Sequence, residues 1–308
     1  MNSCMHNLHK GKCFIRIGIY FILLFFFSGL SAIGAEQRIL VDQTGREIRV
    51  PNNPQRVVAL APSITEIIFA LDCQDRLKGA TRFSDYPEAA KTIQKVGSYV
   101  YLDLEKIVAL NPDVCIAIKD GNPISVIDRL NSIGIPVFAV NPRGLESVMQ
   151  AIADIGRLME TEEKANAIIT DMKDRLEDVE SKVARTESRP RVFFQIGISP
   201  IVSAGSDTFI HELIIKAGGC NIAGKYKSYP RFSHEEVLEL APEVLIITSM
   251  AREEVFDRVK AEWEQWQQIP AVANDRVHLV DSNLFDRPTP RLIDALEKLL
   301  KLIHPELQ

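Results

Sequence analysis

One stretch of the chain occurs twice, and this repeat constrains the fold more than any other feature. The first copy, Asp103–Ile118, reads DLEKIVALNPDVCIAI, and the second, Ser233–Thr248, reads SHEEVLELAPEVLIIT. In each copy a polar residue can cap a short helix, a proline ends it, and a run rich in Val and Ile predicts a buried strand. Glu105 occupies the same position in the first copy as Glu235 in the second. The repeat predicts an α/β domain that is present twice.

Strands and helices alternate along both halves of the chain. Arg56–Ala61 predicts a buried strand followed by a helix, and Arg191–Gly197 and Phe209–Ala217 repeat that order in the second half. Such alternation predicts mostly parallel sheets with helices on both faces. A β-hairpin is expected in front of the first half, over Gln37–Pro51.

The first strand is followed at once by a candidate ligand-binding turn. Ser63 can cap the next helix, and Glu66 stands at the capping-box position. A hydroxyl at the carboxyl end of a strand in an open α/β sheet is also placed to contact a ligand. Ser63 is therefore a candidate ligand-binding residue, with a plain helix start as the alternative.

A long helix without Gly or Pro is predicted between the halves. An amphipathic helix covers Gly144–Met159, and Thr161 can cap a second helix that runs to about Arg185. This second helix has a narrow apolar stripe, so it either lies on the surface or bridges two lobes, and its place between the repeats favours the bridge. The expected organisation is an N-terminal lobe at 36–143, a linking helical segment at 144–188 and a C-terminal lobe at 189–308.

The first 35 residues have the features of a signal peptide. Lys10, Lys12 and Arg16 precede the apolar run Ile17–Phe27, and small residues follow up to Ala35. The alternative is an uncleaved membrane anchor, but the apolar run is short for a membrane-spanning helix. We expect cleavage near Ala35 and export of a soluble protein to the periplasm.

The common signatures of catalysis and metal binding are absent from the sequence. It contains no G-x-G-x-x-G, P-loop, H-E-x-x-H or G-x-S-x-G motif, and after cleavage its four histidines are scattered singly. Cys73, Cys115 and Cys220 are an odd number and form no C-x-x-C, so we expect no zinc site, and Cys115 is expected to be a buried hydrophobe. The net charge of −5 argues against nucleic acid as a partner. These features favour a carrier with no catalytic or metal-binding residues over the alternative, an exported hydrolase or metal-dependent enzyme.

Several segments in order carry a resemblance to a known family. VVALAPSITEIIFAL, FSDYP, LEKIVALNPDVCIA and SNLFDRPTPRL together resemble periplasmic substrate-binding proteins of ABC importers, of the vitamin B12 and iron–siderophore type. The resemblance extends from Arg38 to the C-terminus. It implies two doubly wound α/β lobes joined by a single long rigid helix, with small lobe motion. It also implies a monomer without a cofactor that binds cobalamin or a related corrinoid between the lobes and delivers it to a membrane permease.

The resemblance also implies roles for particular residues. Glu105 and Glu235 match surface glutamates that meet arginines of the permease, and the alternative is that each favours its own helix N-terminus. The expected ligand cleft contains aromatic and apolar residues, an amide and one arginine: Phe83, Tyr99, Ile118, Ile196, Tyr229, Asn283, Leu284 and Arg287. Arg287 is expected to hold an anionic or amide-bearing group.

The expected cleft departs from the vitamin B12-binding pattern in one respect. Members that bind vitamin B12 place several tryptophans around the ligand, and the matching positions here are Phe83, Tyr99, Ile118, Tyr229 and Leu284. The flat aromatic surface is therefore smaller. A related corrinoid, haem or a ferric siderophore stays open as the ligand.

Overall fold

The computed structural model describes residues 36–249 and 253–307, with no side chains described at 249 and 253–257. The predicted signal peptide lies outside the described residues. From Arg38 onward the chain forms one compact unit. Within the described part, none of the helices combines the length and the apolar character that crossing a bilayer requires.

The first half consists of a hairpin followed by a small parallel sheet. Its elements are β1 (Gln37–Val41), β2 (Glu47–Pro51), β3 (Val57–Ala59), α1 (Pro62–Ala70), β4 (Leu77–Gly79), α2 (Leu104–Ala109), β5 (Val114–Ile118), α3 (Ile124–Ser132) and β6 (Val137–Val140). The hairpin β1–β2 is confirmed as a two-stranded sheet of its own. The other four strands pair in the order β4-β3-β5-β6, and every pair is parallel.

Two long helices connect this sheet to the second half. They are α4 (Leu145–Met159) and α5 (Glu162–Val183). The second half contains β7 (Arg191–Gly197), β8 (Ile201–Ser203), α6 (Phe209–Lys216), β9 (Cys220–Asn221), β10 (Arg231–Phe232), α7 (His234–Leu240), β11 (Val244–Ser249), α8 (Glu253–Glu264), α9 (Pro270–Ala273), β12 (Val277–Asp281), α10 (Ser282–Phe285) and α11 (Leu292–Ile303).

The second sheet is larger and mixed. Its strand order is β10-β8-β7-β11-β12, and β9 pairs with β7. Strands β9, β11 and β12 belong to its parallel part with β7, whereas β8 and β10 are antiparallel additions that the sequence did not predict. The two α/β halves with mainly parallel sheets confirm the expected fold class.

Helix starts agree with the sequence in the repeat and differ elsewhere. The Asp103 side chain accepts the Lys106 N–H at 3.1 Å, and Ser233 and Glu236 form the predicted capping box. Ser63, in contrast, is not a cap, because α1 starts one residue earlier at Pro62, whose missing N–H is no loss in a first turn. Thr161 is the residue before α5, but its side chain makes no capping bond.

Helix α5 contacts both halves, as a linking helix should. At its start Lys164 pairs with Asp72 of the first half at 2.7 Å. Further along, Arg175 donates to Glu297 of α11 at 2.8 Å and to Asp294 at 2.5 Å. Charged residues of α5 therefore form ion pairs with residues of both halves.

The two halves share a continuous hydrophobic core. One cluster of buried side chains includes Ile64 of α1, Ile152 of α4, Met172 of α5, Leu213 of α6 and Leu296 of α11. Each of these side chains is at most 2% exposed. Because burial of apolar surface is the main favourable term in folding, this shared core holds the two halves together.

A second cluster, within the second half, explains the tryptophans. Trp263 is 1% exposed, and its Nε1–H donates to Gln195 Oε1 at 2.7 Å. Trp266 packs partly buried against the same cluster. Both tryptophans therefore pack in the core of the second half. Cys115 is also buried as expected, and burial raises the pKa of its thiol to about 12.

Candidate functional site

A cleft of about 890 Å³ is lined by residues of both halves. Several of its wall residues end or follow strands: Ile118 ends β5, Asn141 follows β6, and Asp281 ends β12. The carboxyl ends of strands are where open α/β sheets bind ligands. The volume lies toward the upper end of the range of roughly 300–1,000 Å³ that is usual for small-molecule sites.

Most of the sequence-predicted ligand residues meet in this cleft. The lining includes Ser63, Phe83, Tyr99, Ile118, Ile196, Tyr229, Asn283 and Arg287. Leu284 does not line the cleft but packs, partly buried, against the shared core. Ligand binding by the lining residues stays a prediction.

Aromatic side chains enter the cleft from both halves. In the first half the rings of Phe83 and Tyr99 lie 6.3 Å apart, tilted by 60°. In the second half Tyr229 is 52% exposed although it is a large aromatic residue. Exposed aromatic area in a concave site offers apolar surface for a flat ligand.

Arg287 lines the cleft, but its guanidinium is already engaged. Nη1 donates to Glu66 Oε1 at 3.0 Å and lies 2.8 Å from Asp85 Oδ1, and Nη2 donates to the Phe83 carbonyl at 2.9 Å. All three partners belong to the first half, whereas Arg287 belongs to the second. The structure thus shows that Arg287 connects the two halves, and direct contact of Arg287 with a ligand group stays a prediction.

Arg291 completes this connection between the halves. Its Nε donates to Glu66 Oε2 at 2.9 Å, and its guanidinium lies 3.6 Å over the ring of Tyr86. We call Glu66, Asp85, Arg287 and Arg291 the interlobe ionic cluster. Burial raises the pKa of Glu66, and the charges and hydrogen bonds of the two arginines oppose that shift.

Three aspartates line the second-half wall. Asp286 accepts a hydrogen bond from Thr248 at 3.3 Å, while its Oδ1 is buried and has no hydrogen-bond partner among the described residues. The Asp207 carboxylate accepts the Ser228 N–H, which holds its pKa below the usual value. Asp281 accepts the Asn283 N–H at 2.9 Å. Sequence reasoning missed all three, although Asp286 lies inside the SNLFDRPTPRL segment.

The remaining charged lining residues form another ion pair. Arg143 Nη2 lies 2.5 Å from Asp120 Oδ2, and both side chains are more than half exposed. Over the described part of the chain, no group of three His, Cys, Asp or Glu residues could hold a metal ion. The lining residues offer hydrogen bonds, charge and apolar contact to a ligand.

Asp286 should make the stability of the protein depend on pH. Burial raises its pKa from 3.8 to about 7, so the folded state holds this proton more tightly than the unfolded state. Stability contributed by the protonated form is complete below about pH 4 and is lost as the pH rises to about 7, at about 1.4 kcal/mol per unit. Asp286→Asn, which keeps the shape of the protonated acid, removes this loss. In thermal melts the variant should match the wild type at pH 4 and exceed it by on the order of 2–4 kcal/mol at pH 8; equal stability at both pH values contradicts the assignment.

Comparison with known proteins places the chain in a family. A family model described as periplasmic binding protein matches residues 57–284. The vitamin B12-binding protein of Vibrio campbellii is 33% identical over 250 residues, which cover 80% of this chain and 89% of that protein.

Solved structures agree. The periplasmic vitamin B12-binding protein BtuF of Vibrio cholerae has a TM-score of 0.73 and 28% identity, covering 82% of this chain and 97% of that one. A periplasmic heme-binding protein from Pseudomonas aeruginosa has a TM-score of 0.74 and 26% identity, covering 83% and 94%. The family match over most of the chain, on a fold with a cleft between two α/β halves, shows that this protein belongs to the periplasmic binding protein family.

Proposed function

We propose that this chain is the extracytoplasmic substrate-binding protein of an ABC importer and that it carries a corrinoid such as vitamin B12. The supporting observation is the large cleft, with aromatic residues from both halves, in a chain 33% identical to a vitamin B12-binding protein. The ligand binds in the cleft and passes to the membrane permease, and no bond is made or broken.

The shape of the lining suits a large ligand with flat faces. Phe83 and Tyr99 lie in one half and Tyr229 in the other, so a flat ring system between them contacts aromatic surface from both. Apolar residues Ile118 and Ile196 add to this surface. A corrin ring has the apolar faces and polar edges that such a lining accommodates.

Haem is the second candidate ligand. A heme-binding protein shares the fold at 26% identity, close to the 28% of BtuF. The aromatic lining also suits a flat porphyrin. The two ligands differ in the groups at the edge of the ring. A corrin ring carries primary amides and haem carries two propionate carboxylates, so the two ligands favour different charges in the cleft.

The permease contact is proposed at Glu105 and Glu235. Each is the second residue of a short helix, α2 or α7, directly after a capped turn. Both side chains are exposed. Equivalent carboxylates on the two halves suit a permease with two equivalent arginine sites, where exposed charges guide encounter more than they add affinity.

The remaining parts of the proposal concern processing and organisation. We propose that residues 1–35 act as a signal peptide cleaved near Ala35 and that the mature protein works as a monomer in the periplasm. The lobes comprise 36–143 and 189–308, with the linking segment at 144–188.

Cyanocobalamin should co-elute with the purified mature protein. At micromolar protein, gel filtration should show the red absorbance of the ligand in the protein peak, and haem and a ferric siderophore run in parallel rank the alternatives. Tyr99→Ala with Tyr229→Ala should weaken binding at least about ten-fold, since aromatic contacts contribute about 1 kcal/mol each. Tyr101→Ala is the matched control, because Tyr101 is 80% exposed and does not line the cleft. Absence of co-elution contradicts vitamin B12 as the ligand.

A further inference from the structure

The charged groups that line the cleft are mainly acidic. Among the described lining residues, aspartates outnumber arginines: Asp85, Asp120, Asp207, Asp281 and Asp286 against Arg143 and Arg287. A concave site with low-dielectric walls concentrates the field of such charges. The negative charge of the cleft therefore favours ligands that carry positive charge or hydrogen-bond donors.

Both lining arginines are already paired with carboxylates of the protein. Arg287 contacts Glu66 and Asp85, and Arg143 lies 2.5 Å from Asp120. A carboxylate ligand is normally held by two parallel N–H groups of a guanidinium. In this cleft such a ligand competes with a carboxylate of the protein for each guanidinium.

The aspartates of the second-half wall have unused acceptor capacity. No Lys or Arg in the described part of the chain forms an ion pair with Asp207, Asp281 or Asp286. Asp207 and Asp281 accept N–H groups of Ser228 and Asn283, and each carboxylate has further lone pairs. Asp286 Oδ1 is buried without a partner among the described residues, and burial raises the pKa of this carboxyl to about 7, so its charge contributes only in part at neutral pH.

Tyr229 is subject to the field of these charges. Burial raises the pKa of its phenol, and the negative charges of Asp286, Asp207 and Asp120 raise it further. A phenol resists ionisation where the potential is negative. A ligand that contacts Tyr229 therefore lies in a region that disfavours additional negative charge.

We infer that the second-half wall accepts hydrogen-bond donors from the ligand, so that the cargo carries amide N–H groups or positive charge and not carboxylates. This inference rests on the proposed function, in that the cleft is taken as the ligand site. The primary amides around a corrin ring supply such donors. The two propionate carboxylates of haem would face the charged carboxylates of Asp207 and Asp281, and like charges brought together lower affinity.

The first test compares ligands that share one ring. Cyanocobalamin and its monocarboxylic acid, in which one peripheral amide is hydrolysed, should differ in Kd by at least about ten-fold at low ionic strength, with the amide form tighter. The ratio should shrink in 0.5 M NaCl, because salt screens charges near solvent. Equal dissociation constants for the two ligands at low salt overturn the inference.

The second test changes the wall. Asp207→Asn combined with Asp281→Asn keeps one acceptor oxygen in each side chain and removes two charges, so the discrimination should fall at least about three-fold. Asp128→Asn, an exposed aspartate of α3 outside the cleft, is the control and should leave the ratio unchanged. Thermal melts confirm that each variant is folded, and an unchanged ratio in the folded double variant removes these aspartates from the selectivity.

A third test separates this inference from the identity of the ligand. A tetracationic N-methylpyridyl porphyrin and a tetra-anionic sulfonatophenyl porphyrin have rings of the same size and opposite charge. The wild type should bind the cationic one at least about ten-fold tighter. That preference without cobalamin binding supports the charge rule and contradicts vitamin B12 as cargo. Cobalamin binding with no preference in either ligand pair contradicts the charge rule and leaves the proposed function standing.

Discussion

Glu66→Gln should lower the free energy of unfolding by about 3–5 kcal/mol, the usual effect of removing one member of a buried ion pair. The Glu66 side chain is 3% exposed and accepts from Arg287 at 3.0 Å and from Arg291 at 2.9 Å. The amide keeps the shape but offers only one oxygen to two guanidinium groups. Two partly buried positive charges then remain close together without their shared counter-charge.

Thermal and urea unfolding of the mature protein measure this effect. For a chain of this size the loss corresponds to a decrease in Tm of roughly 6–20 °C. Asp120→Asn is the matched control, since the Asp120–Arg143 pair also involves an arginine but is more than half exposed. Exposed pairs contribute about 1 kcal/mol or less. A Glu66→Gln variant within 1 kcal/mol of the wild type would show that the interlobe ionic cluster does not stabilise the fold.

A double-mutant cycle then assigns the effect to a particular contact. Glu66→Gln, Arg291→Gln and their combination should show an interaction energy of about 1–3 kcal/mol, because contacting residues in one network are not additive. Additive losses would mean that Glu66 acts through Arg287 and Asp85 instead of Arg291.

Glu105→Ala combined with Glu235→Ala should abolish uptake while leaving ligand binding intact. Both side chains are exposed and neither lines the cleft, so the Kd for cyanocobalamin should change less than about two-fold. Loss of both carboxylates removes the proposed contacts with permease arginines, and charge complementarity controls encounter. In cells that depend on this carrier, transport of labelled cobalamin should fall at least about ten-fold.

The competing interpretation of these glutamates gives a different result. If each carboxylate only stabilises the N-terminus of its own helix, the double variant has a slightly lower Tm and normal uptake. Asp128→Ala combined with Glu239→Ala is the control, with one exposed acid from each half and Glu239 on the same helix as Glu235. Lost binding in the Glu105/Glu235 variant would contradict the docking assignment.

Most of the fold could be predicted from local sequence signals. The Asp103 and Ser233 caps, the helix breaks at Pro112 and Pro242 and the strands that follow depend on neighbouring residues, so they could be recognised twice. Strands β8 and β10 span three and two residues, too short for a periodic pattern to show. Their antiparallel pairing with the rest of the sheet depends on contacts that no local pattern encodes.

The candidate site was accessible to sequence reasoning only in part. The resemblance placed Phe83, Tyr99 and Tyr229 in one cleft, because the order of the motifs along the chain matches each residue to a position in the family fold. It could not show that Arg287 contacts Glu66, since the two lie 221 positions apart. Without knowledge of that contact, the sequence suggests that Arg287 is a free cation able to hold an anionic group of the ligand.

The shared core and the interlobe ionic cluster have a consequence for release of the proposed ligand from the cleft. Because the halves share the buried side chains of Ile64, Leu213 and Leu296 and the ion pairs of Glu66, we expect them to move little relative to each other. The ligand-free protein then already has the binding-competent shape, so binding loses no affinity to a rarely populated conformation. Under the proposed function, ligand release should be slow in free solution and fast only when the permease separates the two halves.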